Sequence, residues 1–116
     1  MPATSVFRGQ VLSTVSGEGS VITSGAIQPQ GNRAVLAVTV VNATSSITSA
    51  TFKLRGSYDG SLWKDITSGS ITSLTAFGYA NSSAVTIDHA FVQVFAEIAG
   101  TSQRVLFDAT IAWSQQ

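Results

Sequence analysis

Apolar residues in this chain recur with period two or in short continuous runs, and almost never with period 3.6. Such a chain can build sheets but offers little for the apolar stripe of an amphipathic helix. The clearest stretch is 104–113, where Val105, Phe107, Ala109, Ile111 and Trp113 fall on one face and Leu106, Asp108, Thr110 and Ala112 on the other. A second strand sets Val92, Val94, Ala96 and Ile98 against Phe91, Gln93, Phe95 and Glu97. Gly100-Thr101-Ser102 lies between them, so 90–113 predicts a β-hairpin. Residues 33–42 are apolar on both faces, as in a strand inside a sheet. Residues 50–55 alternate again, Phe52 and Leu54 inward. Weaker strands are expected at 6–15, 21–28, 62–67, 71–79 and 85–87.

Turn-forming clusters separate these runs: Gly17-Glu18-Gly19, Pro29 to Asn32, Asp59-Gly60, Ser68-Gly69-Ser70 and Asn81-Ser82-Ser83. Eight or nine short strands spaced this way predict an all-β fold, an antiparallel β-sandwich or jelly roll with no significant helix. At 116 residues the chain fits a single domain, 1–116. Residues 1–5 are the candidate for a flexible N-terminal arm that orders on a neighbour.

Composition narrows the function classes. Charged residues are 10 % of the chain, against about 25 % in an average domain. Seventeen Ser and thirteen Thr take up the difference. Six basic and six acidic residues cancel, which gives no long-range field to steer nucleic acid or an anionic membrane surface. A neutral, hydroxyl-rich surface resists self-association poorly and suits a subunit that packs against something. There is no cysteine, which excludes a disulfide framework, a thiolate zinc site and a cysteine nucleophile. The N-terminus lacks the basic stretch and apolar run of a signal peptide, and no run approaches the ~20 residues that span a bilayer.

Catalytic groups are sparse. His89 is the only histidine; it follows Asp88, and neighbours on a strand point to opposite faces and cannot chelate one ion. There is no G-x-S-x-G elbow, and the acidic residues are scattered singly, without calcium-loop spacing. The expectation is a non-enzyme with no catalytic residue, no metal and no cofactor, His89 being a turn or surface histidine. Lys53, Arg55 and Lys64 cluster near Trp63, but Asp59 and Asp65 offset them, so they read as a solvated hairpin face.

Residues 50–66 carry the most distinctive motif. Asp59-Gly60 suits a tight hairpin turn. Centred there, Arg55 pairs with Trp63, Lys53 with Asp65, and Phe52 with Ile66. The heptapeptide Ser57-Tyr58-Asp59-Gly60-Ser61-Leu62-Trp63 has the form S-x-D-G-x-x-W. It resembles the hairpin of discoidin-type sandwiches, where the Asp-Gly turn and Trp are scaffold, and one that recurs in small β-sandwich virion proteins of tailed phages. A chain starting at Met1 without signal or cysteine, rich in Ser, Thr and Gly, fits the phage resemblance better. That resemblance implies a head decoration (cement) protein or a small tail or fibre component, located in the virion. Its partners would be a major capsid or tail protein and its own copies, trimers being common among decoration proteins.

Two surfaces follow. Phe91, Phe95 and Leu106 lie opposite the core face of their strands and are the candidate subunit interface; coverage by the N-terminal segment is the competing account. The alternative function is a carbohydrate-binding module or receptor-binding fibre domain, with Trp63, Tyr58 and Tyr79 as stacking residues and Phe77 beside Tyr79.

Overall fold

A computed structural model describes residues 2–15, 17–43, 49–72 and 78–115. Among the described residues nine strands follow one another: β1 (Ala3–Ser13), β2 (Val21–Thr23), β3 (Arg33–Ala43), β4 (Ser49–Ser57), β5 (Lys64–Ile71), β6 (Gly78–Asn81), β7 (Val85–Thr86), β8 (Phe91–Ala99) and β9 (Arg104–Ser114). They form two antiparallel sheets, one in the order β1-β9-β3-β6 with β7 also on β3, the other β2-β8-β4-β5. The architecture is the expected all-β sandwich.

Period-two alternation fixes the core. Val105, Phe107, Ala109, Ile111 and Trp113 of β9 are buried, and Leu36, Val38 and Val40 of β3 lie beside them. The other sheet contributes Phe52 and Leu54 of β4 with Val92, Val94, Ala96 and Ile98 of β8. The two layers meet where Phe107 packs against Phe52 at 5.0 Å; within its own sheet Phe107 also meets Phe7 edge-on at 5.5 Å.

The predicted 90–113 hairpin does not form. β8 pairs with β2 and β4, whereas β9 pairs with β1 and β3, so Gly100 to Ser102 carries the chain from one sheet to the other. Both strands bury one face completely, each within its own sheet, and the two sheets close over those faces.

Residues 3–5 are not a free arm. Ala3, Thr4 and Ser5 pair with Ala112, Ile111 and Thr110. The buried Trp113 indole donates its Nε1–H to Thr4 Oγ1 at 2.9 Å, and the Trp113 amide donates to the Pro2 carbonyl, also at 2.9 Å. Two extra residues in β1 are absorbed as bulges; at the second, Gly9 takes φ +60° and its N–H donates to Asp108 Oδ1.

Part of the hydroxyl-rich composition belongs to the ladders themselves. Ser82 Oγ accepts the Leu36 amide while the Ser82 amide donates back to the Leu36 carbonyl. Ser24 Oγ accepts the Val94 amide and Thr14 Oγ1 the Gln103 amide. Side-chain hydroxyls here replace carbonyls at places where the strands are irregular.

The 50–66 register also differs from expectation. Arg55 lies opposite Asp65 and Gly56 opposite Lys64, two residues beyond the predicted pairing. Only Gly60, at φ +82°, adopts the left-handed conformation in the loop, whereas a two-residue type I′ turn needs both central residues there. The connection is therefore longer than a tight turn, and pairing starts later. Ser68-Gly69-Ser70, expected as a turn, is a bulge inside β5: Ser68 sits at φ +67°, and beyond it Phe52 faces Ile71 instead of Ile66. The weaker expected strands at 21–28 and 62–67 are shifted or shortened to β2 and β5, with Ile27 adding one bridge to Val92.

Candidate functional site

The loop after β4 is held by two side chains. Asp59 Oδ1 accepts the amides of Ser61 (2.8 Å) and Leu62 (3.0 Å) and the Ser57 hydroxyl (3.0 Å). Ser57 Oγ in turn accepts the amides of Gly60 (2.9 Å) and, more weakly, Asp59 (3.3 Å). These bonds favour the charged carboxylate and hold the Asp59 pKa below the usual carboxylate range, with the Leu62 and Ser61 amides as the main causes. Asp59 and Gly60 thus shape this loop, Asp59 through its carboxylate and Gly60 through its positive φ.

This clamp presents an exposed tyrosine ring and a leucine. Tyr58 is 69 % exposed and Leu62 79 % exposed. The Tyr58 ring stacks on the His89 imidazole with centroids 4.9 Å apart, and His89 in turn packs against the bare Cα of Gly56. His89 Nδ1 is shut off from solvent and makes no hydrogen bond, and Asp88 Oδ1 lies 3.3 Å from it. Tyr58, Leu62, Trp63 and His89 line a shallow, mostly apolar cavity of about 310 Å³. Tyr58, Lys64 and His89 also line the adjoining cavity of about 500 Å³, which carries Thr67, Thr86 and Asp88 and is more polar. The two cavities share Tyr58, Lys64 and His89 in their linings and together make up the groove beside the loop.

Of the three stacking candidates, Tyr58 and Trp63 line one cavity and Tyr79 does not join them. It stands 66 % exposed on β6, opposite Thr39 in the other sheet. Phe77 lies outside the described residues. His89 and Gly56 were missed as parts of this site. Their contact is tertiary, and no spacing in the sequence announces it.

The three interface candidates do not form one patch. Phe91 and Phe95 are on β8, and Leu106 is on β9 in the opposite sheet. Phe95 is half-buried under cations, with the Arg55 guanidinium 4.1 Å and Lys53 Nζ 4.8 Å from its ring centroid. Both cations are tied to Asp65, at 3.0 and 3.1 Å, and hold its pKa down, the Lys53 hydrogen bond contributing most. Arg55 thus covers Phe95 and not, as expected, Trp63. Phe91 is half-buried beside the Gly60 turn. Leu106 points outward from its own sheet next to Val11, its register partner, in an open apolar depression of about 310 Å³.

The two outer faces differ in charge. That of the β2-β8-β4-β5 sheet carries Lys53, Arg55, Asp65 and Glu97. Across the middle of the other face the rows read Ala112 with Val35, Ser5 with Thr110 and Ala37, and Val11 with Leu106 and Asn42. Its central carboxylate, Asp108, accepts the Gly9 amide, and Arg33 and Arg104 stand at the strand ends of the same face. Among the described residues no group of three or more His, Asp or Glu could hold a metal ion, and no helix is long and apolar enough to cross a membrane.

No family model and no curated protein sequence matches the chain. Among solved structures it is similar to the PBSX exported protein XepA, with a TM-score of 0.68 and 8 % identity over 99 % of this chain and 38 % of that one. The chain thus spans well under half the length of that protein, and the likeness shows the sandwich fold. Weaker likenesses are to the CBM22-1–GH10 modules of a Clostridium thermocellum xylanase (TM-score 0.49, 7 % identity, 90 % of this chain and 24 % of that one). Another is to the SPBc2 prophage-derived protein YomS (TM-score 0.39, 9 % identity, 97 % and 96 %). Neither of these two carries an argument about this chain.

Proposed function

We propose that the chain is a non-enzymatic structural protein of a phage-like particle, a decoration or cement subunit that binds a capsid or tail lattice and its own copies. The observation that carries this reading is the open apolar depression on the outer face of the β1-β9-β3 sheet, where Val11 and Leu106 stand side by side with Ala43, and Arg104 marks the edge. Interface centres are depleted of charge relative to ordinary surface, and the Val11, Leu106 and Ala43 lining of this depression has that character. Of the three interface residues expected from sequence, Leu106 keeps its place in the proposal; Phe95 is already covered by Arg55 and Lys53. The sandwich shared with an exported protein of PBSX fits a role in such a particle.

Light scattering coupled to size-exclusion chromatography tests it. The wild type is expected to run as a trimer or larger ring across a wide concentration range, and Leu106→Glu to dissociate it without loss of strand signal. A 12.0 kDa species at every concentration would overturn self-association. An oligomer indifferent to Leu106→Glu and Val11→Glu would move the contact off this face.

A further inference from the structure

We infer that the groove between the Ser57–Trp63 loop and His89 is a binding site for a neutral saccharide. The site is separate from the assembly face and stands whether or not that face is an interface. Three observations carry it.

The first is a prearranged platform. Tyr58 exposes 69 % of its surface, yet its ring is braced from behind by His89, which is braced by Gly56. The backbone on both sides of it is fixed by Ser57 and Asp59. An exposed ring held still in this way loses little further freedom when a flat ligand lies on it. A solvated surface tyrosine needs no such support.

The second is the split character of the lining. The apolar cavity with Tyr58, Leu62 and Trp63 adjoins the polar one with Lys64, Thr67, Thr86 and Asp88. A pyranose has the same division: its C–H face packs on aromatic rings, and its rim of hydroxyls both donates and accepts. Each cavity, at about 500 and 310 Å³, falls in the size range of small-ligand sites, about 300–1,000 Å³.

Charge is the third. Asp65 is occupied by Lys53 and Arg55, and the other charged residues lining the cavity are Lys64 and Asp88, the latter 3.3 Å from His89 Nδ1. The balance disfavours a phosphate or a polyanion, whereas a polyhydroxylated neutral ligand uses Lys64 as donor and Asp88 as acceptor.

Two-dimensional NMR of the intact chain tests the inference, titrating cellotetraose, xylotetraose and chitotetraose, with inorganic phosphate as the charge control. At least one sugar is expected to shift resonances of residues 57–64 and 88–89 saturably in the millimolar range, and phosphate is not. Tyr58→Ala should weaken that binding about tenfold or more with the unfolding midpoint unchanged, and Tyr58→Phe should largely preserve it. If none of the three sugars shifts these residues, the inference fails. It fails equally if the shifts map to Tyr79 or the β1-β9-β3 face, or if they persist unchanged in Tyr58→Ala.

Discussion

His89 fills the space that a side chain at position 56 would need. A Cβ on Gly56 would lie 2.7 Å from His89 Cδ2 and closer still to Cγ and Nδ1. Gly56→Ala must therefore push the imidazole away and with it the support under Tyr58. Overpacking of this kind costs about 1–3 kcal/mol. Urea unfolding should show that loss in the wild-type background and much less of it in His89→Ala, where the obstructing ring is gone. Equal losses in both backgrounds would mean that Gly56 is required for its backbone and not for the room it leaves.

Asp59 makes the loop sensitive to acid. Its folded-state pKa lies below the unfolded value of about 3.9. Its contribution is therefore complete above that value and is lost as pH falls through the folded pKa. Asp65, lowered chiefly by Lys53, and Glu18, lowered chiefly by the Ser13 hydroxyl and then by Arg104, act in the same direction. Stability should thus hold on the neutral side and decline below about pH 4. Asp59→Asn keeps an oxygen for the Ser61 and Leu62 amides but cannot titrate. Urea midpoints measured from neutral to strongly acid pH should fall less steeply for this variant than for wild type; parallel curves would show that the carboxylate charge is not used.

Thr4 is predicted to be a structural residue. Thr4→Val removes the acceptor of the Trp113 Nε1–H, which is otherwise surrounded by core. Leaving a buried donor unsatisfied costs about 1–3 kcal/mol, and Thr4→Ser should recover most of it. A denaturant midpoint unchanged by Thr4→Val would return residues 3–5 to the status of a dispensable arm.

Alternation made the layers legible: every inward residue expected at 105–113, 92–98 and 52–54 is buried. What alternation cannot convey is which strand pairs with which, because facing strands and paired strands bury the same residues. The 90–113 segment was misread for that reason. Bulges are equally silent. Ser68, Gly9 and Val41 each displace a register without disturbing the apolar pattern on either side. At the groove, Ser57, Asp59, Gly60 and Trp63 were visible because a short loop keeps them close in sequence. His89 comes from the loop before β8, and its place beside Gly56 is a product of the finished fold.

Serine has two roles in this chain, and adjacent residues separate them. Ser82 is buried; its hydroxyl accepts the Leu36 amide and donates to the Ser83 carbonyl. Ser83 is exposed. Ser82→Ala strands the amide of a central strand and should cost about 1–3 kcal/mol. Ser83→Ala should stay within about 0.5 kcal/mol of wild type, as exposed substitutions do. Amide hydrogen exchange gives the sharper reading: the Leu36 amide should lose protection in Ser82→Ala while Val38 and Val40 keep theirs. If Leu36 stayed protected, its amide would have another acceptor, and the hydroxyl-for-carbonyl exchange that explains part of this composition would not hold there.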